Sequence, residues 1–422
     1  MSDNRKIIFE AFQFNQKVTT DTRRLEPGSI FFALKGANFN GNDFLQSALD
    51  AGCSLVVGDE NRLTHPQFVH VGNALVALQE LAEDYRDTWK FPVVGITGSN
   101  GKTTTKELVR DVLKTQFKVH ATSGNLNNHI GVPLTILSAP LDTEIAIIEM
   151  GANHQKEIQS YCQYAKPTHG YITNIGKAHL EGFGGEEGVK KGKKELYDYV
   201  SSNDGVVFVN EELIHMKEIT QGMAVFPLAK EIKFSAEDQG DGLWVKVIDE
   251  HLYEMKCHLT GMYNLNNVIV AWELGKYFGI TPENRIAAIS GYLPENMRSQ
   301  WKKTEKNELI IDAYNANPTS LEHAITHLSN QENVEVLAIV GEMREMGEYS
   351  FQEHNRIVEL LVQLGVPAIL VGREFMFAQN QYPWFENVDG LVVFLMEHPI
   401  THKRILIKGS RGIQLEKILP LL

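Results

Sequence analysis

Cysteine is scarce in this chain: 422 residues hold three, Cys53, Cys162 and Cys257. They lie roughly a hundred residues apart, which forms no metal-ligand pattern and excludes a disulfide-built secreted scaffold. Long apolar runs are missing as well. No stretch approaches the ~18 consecutive apolar residues that span a membrane, and the opening MSDNRKIIFEAFQFN lacks the apolar core of a signal peptide. Nor is there an excess of base: 40 Lys and Arg against 53 Asp and Glu leave a net charge of −13. A global nucleic-acid footprint is thereby excluded, while a local basic pocket for phosphates is not. Fixed-period repeats and low-complexity segments are absent too. What is present is ordinary for a globular protein, 43% hydrophobic and 22% charged residues. At ~100–200 residues per domain the length implies two to four domains. The expectation is a soluble, cytoplasmic, multidomain protein with no nucleic-acid partner and no membrane insertion.

The first ninety residues carry turn-rich signals, Glu26-Pro27-Gly28-Ser29 and Gly36-Ala37-Asn38-Phe39-Asn40-Gly41, around short apolar runs at Ser29–Leu34 and Ser54–Val57. Residues 72–88 read as an amphipathic helix, with Leu75, Leu78, Leu81 and Ala82 at helical spacing. Pro92 then makes a boundary near 88–92. Beyond it, strand patterns at Val93–Thr97, Ile145–Glu149, Gly170–Asn174 and Val206–Asn210 alternate with helical ones such as Thr103–Thr115. That alternation predicts a mostly parallel sheet flanked by helices. Leu243-Trp244-Val245-Lys246-Val247 alternates with period two and predicts an antiparallel appendage within 230–260. After Leu293-Pro294 a second α/β series, with strands near Leu309–Asp312, Val336–Val340, Ala368–Val371 and Ile405–Ile407, predicts a Rossmann-like domain from about residue 295 onward. The fold class expected is therefore α/β in three domains, 1–89, 90–294 and 295–422.

The most informative local segment runs Val93-Val94-Gly95-Ile96-Thr97-Gly98-Ser99-Asn100-Gly101-Lys102-Thr103-Thr104. An apolar strand feeds a glycine turn, then Lys-Thr, then a helix. Glycines let backbone N–H groups approach phosphate oxygens, the helix N-terminus adds a favourable dipole, and Lys102 adds a positive charge. Thr103 offers a hydroxyl to Mg²⁺. The strict pattern G-x-x-x-x-G-K-[ST] fails by one residue, because Ile96 stands where its first glycine belongs.

This variant loop, T-G-S-N-G-K-T-T, resembles the ATP loop of the Mur ligases, bacterial enzymes that build the peptidoglycan stem peptide. The likeness continues through Gly124-Asn125-Leu126-Asn127-Asn128 with Gly131-Val132-Pro133-Leu134-Thr135, Glu149-Met150-Gly151-Ala152, Asn174-Ile175-Gly176-Lys177-Ala178-His179-Leu180, and Gly261-Met262-Tyr263-Asn264-Leu265-Asn266-Asn267. Asp312-Ala313-Tyr314-Asn315-Ala316-Asn317-Pro318, Gly341-Glu342-Met343-Arg344-Glu345-Met346-Gly347 and Lys408-Gly409-Ser410-Arg411-Gly412 are similar to the members that add a dipeptide. Asp21-Thr22-Arg23, Pro27-Gly28 and Phe31–Gly36 fit the nucleotide-sugar domain of the same members. Two departures stand out. A-K-x-K-G-E becomes Lys190-Lys191-Gly192-Lys193-Lys194-Glu195, and Met297 replaces the glycine before Arg298.

The resemblance implies an amide ligase. ATP would phosphorylate a carboxylate of UDP-N-acetylmuramoyl-tripeptide, and the amine of D-Ala-D-Ala would displace phosphate from the acyl phosphate. It implies ATP contacts from Thr97, Gly98, Ser99, Asn100, Gly101, Lys102, Thr103, Thr104, Asn264, Asn267, Arg298 and Asp312. Two Mg²⁺ ions would be held by Thr103, Glu149, His179 and a carbamylated Lys193, and Lys102, Glu149, His179 and Lys193 would form the catalytic set. Substrate contacts would come from Asp21, Arg23, Asn125, Asn128, Asn315, Asn317, Lys408 and Arg411, in an enzyme acting as a monomer.

Read from the residues alone, several of these positions keep a plainer alternative. Glu149 equally caps the next helix, His179 is a hydrogen-bonded structural residue, and Asn264 is an N-cap. Lys190, Lys191, Lys193 and Lys194 are one solvated helix face. Asp21 and Arg23 are a surface ion pair, Asp312 caps a helix, and Asn317-Pro318 is an ordinary turn. Lys408 and Arg411 lie in a solvent-facing loop. The competing activities are a sibling ligase adding one amino acid, a folylpolyglutamate-type synthetase, and a nucleotide-binding regulator that does not ligate.

Overall fold

A computed structural model describes residues 3–295 and 297–422. It opens on a helix that the sequence patterns did not single out, α1 (Asp3–Asn15), in which Ile8 and Phe12, one turn apart, are buried. Strands β1 (Val18–Thr19), β2 (Ile30–Phe32), β3 (Leu55–Gly58) and β4 (Phe68–His70) form a four-stranded sheet in that order. All its pairings are parallel. The two apolar runs supply β2 and β3. Their residues are buried throughout because Ile30, Phe32 and Val57 face one core and Phe31 and Val56 another.

Helix α2 (Ala74–Asp87) occupies the expected stretch, with the Asn73 side chain accepting from the Leu75 and Val76 N–H groups. Its Arg86 is buried and donates to the Ala165 and Lys166 carbonyls at 2.8 and 2.7 Å, tying the helix to the central sheet.

That sheet is built from β5 (Val93–Thr97), β6 (Val119–Ala121), β7 (Ile145–Glu149), β8 (His169–Ile172), β9 (Val206–Val209) and β10 (Val225–Pro227). Its order is β10-β9-β8-β5-β7-β6, parallel at every pairing. The helices around it include α3 (Lys102–Leu113), α4 (Gly131–Leu137), α5 (Glu157–Ala165) and α6 (Glu186–Ser202). Strand β8 stops two residues short of the expected Asn174. The Thr173 hydroxyl and the Asn174 amide turn instead to the Asn100 carbonyl, at 2.5 and 3.0 Å. The antiparallel appendage is present as β11 (Lys233–Asp238), β12 (Leu243–Ile248) and β13 (Leu252–Cys257), with Leu243, Val245 and Val247 turned inward. Helices α7 (Leu265–Tyr277) and α8 (Pro282–Gly291) follow.

The remaining chain forms β14 (Gln300–Lys303), β15 (Glu308–Asp312), α9 (Pro318–Ser329), β16 (Glu335–Gly341), α10 (Ser350–Gln363), β17 (Ala368–Val371), β18 (Trp384–Phe385), α11 (Val388–Glu397) and β19 (Lys403–Lys408). Sheet order is β14-β15-β19-β16-β17-β18, with only β14 antiparallel. The last strand inserts between β15 and β16, so the carboxyl ends of three strands frame one crevice, where such sheets bind ligands. This is the three-domain α/β architecture the sequence patterns predict.

Candidate active site

The loop after β5 is held open by its neighbours. Gly98 has φ 144, and a Cβ there would lie 2.0 Å from the Thr173 hydroxyl. Gly101 has φ 79, and its Cβ would meet Asn267 Oδ1 at 2.8 Å. Only glycine fits both requirements. Thr97 Oγ1 donates to the Met150 carbonyl at 2.6 Å, joining the ends of β5 and β7. The Ser99 hydroxyl donates to the Gly176 carbonyl and accepts from its N–H, each at 3.0 Å, and the Asn100 N–H donates to Asn174 Oδ1. Helix α3 then begins at Lys102, with Thr103 and Thr104 buried in its first turn. Lys102 Nζ folds back onto the Gly98 and Ser99 carbonyls at 2.7 and 3.2 Å. Burial pushes its ammonium down to about 8; Glu149 opposes that shift and Arg298 adds to it.

Glu149 ends β7 and is 1% exposed. Its Oε1 accepts from Thr103 Oγ1 at 3.1 Å and from Asn127 Nδ2 at 2.7 Å. Its Oε2 has no hydrogen-bond partner and lies 3.8 Å from Lys106 Nζ. Lys106 is equally buried and donates to the Thr122 carbonyl at 2.8 Å. Glu149 therefore does not cap the following helix. A buried, orphaned carboxylate oxygen beside a phosphate-loop hydroxyl suits a hard cation. Among the described residues no group of three or more His, Cys, Asp or Glu forms a metal cage. Mg²⁺ needs none, because one or two protein oxygens suffice when phosphates and waters complete its shell.

The four lysines of α6 do not share one face. Lys190 pairs with Glu187 and Glu218 at 2.8 and 2.7 Å, Lys194 pairs with Asp198, and Lys191 is exposed. Lys193 turns inward and is fully buried. Its Nζ is 3.4 Å from the Ala152 carbonyl and 5.0 Å from the Phe183 ring centre. Burial holds its pKa well below the ordinary lysine value, with the charge of Lys102 acting in the same direction. His179 has a left-handed backbone, φ 54, and its Nδ1 is bonded to the Glu345 carboxylate from the opposite side of the site.

Asn264 and Asn267 share a helix face as expected: Asn267 Nδ2 donates to Asn264 Oδ1 at 2.8 Å, and Asn267 Oδ1 accepts from Thr105 Oγ1 at 2.9 Å. Asn264 makes no side-chain capping bond to α7 and donates instead to the Thr260 carbonyl at 2.7 Å, which removes the cap alternative. The Arg298 guanidinium lies 3.6 Å over the Tyr314 ring, with its buried Nε lacking a partner, and Arg411 sits 5.3 Å from the same ring.

The positions expected to touch substrate fall into two groups. Asn315 and Arg411 are exposed at the crevice, and Asn125 is exposed after β6. The others are held by stronger contacts within the chain, whereas Asn315 Oδ1 only accepts from the neighbouring Ala316 N–H at 2.9 Å. Lys408 is buried and pairs with Asp312 at 2.5 Å, so it is no solvent-facing loop residue and Asp312 is no helix cap. Asp312 also accepts from the Ser299 N–H at 3.4 Å, next to Arg298. Asn317 closes a capping box at the start of α9 and donates to Asn100 Oδ1 at 2.7 Å. Asn128 accepts from the Ile130 and Gly131 N–H groups at the start of α4. Asp21 and Arg23 pair with each other at 2.8 Å on the N-terminal sheet's surface.

With this geometry in place, comparison with known proteins is decisive. Three family descriptions match successive parts of the chain: "Mur ligase family, catalytic domain" over residues 16–88, "Mur ligase middle domain" over 96–275, and "Mur ligase, glutamate ligase domain" over 297–410. A UDP-N-acetylmuramoyl-tripeptide–D-alanyl-D-alanine ligase from Bacillus subtilis (strain 168) is 32% identical over 421 residues, covering 95% of this chain and 92% of the relative. The chain belongs to the Mur ligase family. An enzyme of the same name from Haemophilus influenzae is 33% identical over 436 residues, covering 96% of this chain and 93% of its own. Among solved structures, MurF from Acinetobacter baumannii superposes with a TM-score of 0.88 at 27% identity, covering 96% of this chain and 92% of that one.

Four residues of this candidate site carry no role in the sequence reading. Asn127 stands between two asparagines that were singled out, and it is the one that reaches Glu149. Lys106 lies one turn after Lys102, so helical spacing from the phosphate-loop lysine points to it. Tyr314, inside a quoted motif, stacks under Arg298. Glu345 also lies inside a quoted motif, but nothing local links it to His179, 166 residues away.

Proposed function

We infer that this Mur ligase joins D-Ala-D-Ala to UDP-N-acetylmuramoyl-tripeptide at the expense of ATP, in cytoplasmic synthesis of the peptidoglycan precursor. The observation that carries this reading is the match, over nearly the whole chain, to relatives of that name. A sibling that adds one amino acid, or a folylpolyglutamate-type synthetase, has less support. In this reading residues 1–89 bind the UDP-sugar, 90–294 bind ATP, and 295–422 complete the ligase site.

The chemistry needs a carboxylate turned into a good leaving group. The tripeptide carboxylate attacks the γ-phosphorus of ATP, ADP departs, and the acyl phosphate is then attacked by the dipeptide amine. Phosphate leaves with one former carboxylate oxygen. Positioning and charge neutralisation supply most of the catalysis. Lys102, released from the Gly98 and Ser99 carbonyls, pairs with the transferring phosphoryl group, and Arg298 adds a second cation. Thr103 and Glu149 Oε2 are the groups that would hold Mg²⁺, which supplies charge neutralisation on the phosphate oxygens when bound. Burial, which holds the Lys193 amine well below its ordinary pKa, favours reaction with CO₂, which would turn a buried amine into a carboxylate-like oxygen donor for a second ion. Asn264 and Asn267 brace the loop beneath the nucleotide.

A substrate panel tests the reading. Phosphate release should require ATP, UDP-N-acetylmuramoyl-tripeptide and D-Ala-D-Ala together; full turnover with a single amino acid, or with a folate as acceptor, would replace it with a sibling activity.

A further inference from the structure

We propose that His179 is oriented from across the domain interface, by the carboxylate of Glu345, and that the Lys177–Glu353 ion pair is the latch that keeps the two in register. The proposal rests on the ligase reading above and adds a positioning device to it.

The segment after β8 leaves the central sheet and meets the C-terminal domain at several points. Lys177 Nζ reaches Glu353 Oε1 at 2.6 Å, and the Glu353 side chain is only 3% exposed. The Lys177 N–H donates to Thr319 Oγ1 at 3.0 Å, and a Cβ on Gly176 would stand 2.9 Å from the same hydroxyl. Two residues on, His179 Nδ1 meets Glu345, while the Glu345 carbonyl accepts from the Glu181 N–H at 3.3 Å. His179 itself holds a left-handed backbone, a strained conformation that persists where surrounding contacts over-determine it.

Glu345 is also fixed from its own side. It lies in the loop after β16, and that loop is pinned by His354 of α10, whose Nε2 accepts from the Met343 N–H at 3.0 Å and whose Nδ1 pairs with the Ser350 carbonyl at 2.7 Å. His354 is fully buried and adjoins Glu353, so one turn of α10 holds both the acidic loop and the latch. An imidazole that donates its Nδ1–H to a carboxylate has its tautomer and ring orientation fixed and keeps its Nε2 lone pair free. Supplying that carboxylate from the other domain makes His179 competent only when the domains are docked. Glu345 and Glu353 are thus positioning residues, acting through His179.

The test uses full-length protein with ¹⁵N-labelled histidine, the His179 signals being assigned by their loss in His179→Asn. The native ring should carry its proton on Nδ1. In Glu345→Ala the proton should move to Nε2, kcat should fall about 10- to 100-fold, and KM for ATP should hold. Glu345→Gln keeps an oxygen that accepts the Nδ1–H and should recover both the tautomer and most of kcat. Glu353→Gln should lower the Nδ1–H population with Glu345 still present. An unchanged tautomer and kcat in Glu345→Ala, or equal losses in the Ala and Gln variants, overturns the proposal. Failure of the ligase reading would appear in the native substrate panel while leaving the tautomer result intact.

Discussion

The phosphate-loop side of the site and the C-terminal crevice are built from similar residue types, yet their polar groups stand in different states. Around the loop, Glu149 Oε2 and Arg298 Nε are buried without hydrogen-bond partners, Glu149 Oε2 facing only the Lys106 ammonium at 3.8 Å, and Lys193 has one long contact to a carbonyl. Across the crevice, Lys408 holds Asp312 and Asn317 holds a helix cap and Asn100. Buried polar groups normally find partners. In the proposed ligase reading these unpartnered groups meet a ligand, as Lys102 does on leaving its loop carbonyls, and the paired ones hold the frame.

Substitutions on the two sides should therefore differ in what they change. The largest effect is expected at Lys102→Ala, which should lower kcat about 100- to 1,000-fold without changing the thermal midpoint, because its ammonium serves the phosphoryl group and touches only loop carbonyls. Near-normal turnover in the folded variant would remove Lys102 from the phosphate pocket. Lys193→Ala comes next, with a loss of about 100-fold that acetate partly restores and chloride does not, as expected if an oxygen donor is missing. Lys191→Ala should be indistinguishable from the parent under the same assay. If the two behave alike, the contrast between buried and exposed lysines has no functional meaning.

On the satisfied side the readout shifts from rate to stability. Asp312→Ala leaves the buried Lys408 ammonium unpaired and should destabilise by roughly 3 kcal/mol in a urea titration, the low end for such pairs because Asp312 is partly exposed. Asn317→Ala should cost about 1 kcal/mol through the lost cap. A large fall in kcat at Asn317 with unchanged stability would instead place its side chain on the substrate.

Much of this site was legible because its signals are local. A strand, a glycine turn and Lys-Thr lie within twelve residues, and Glu149 ends an uninterrupted apolar strand. The inward turn of Lys193 was legible too, though it was not used: Val189, Lys193, Leu196, Tyr197 and Val200 fall on one helical stripe, and all are buried. What sequence could not supply is pairing across the chain. Asn100 and Asn317 are 217 residues apart, and His179 and Glu345 are 166 apart, so neither bond leaves a periodicity to read. The same limit hid the partners that Lys408 and Asn317 have within the chain.

If the carboxylate is activated as an acyl phosphate in the crevice facing the phosphate loop, one of its oxygens leaves with the phosphate. Isotope transfer tests it most directly. UDP-N-acetylmuramoyl-tripeptide labelled with ¹⁸O in the reacting carboxylate is turned over with ATP and D-Ala-D-Ala, and the released phosphate is analysed by mass. One ¹⁸O atom in each phosphate is the expected result; unlabelled phosphate accompanying normal amide formation would contradict it.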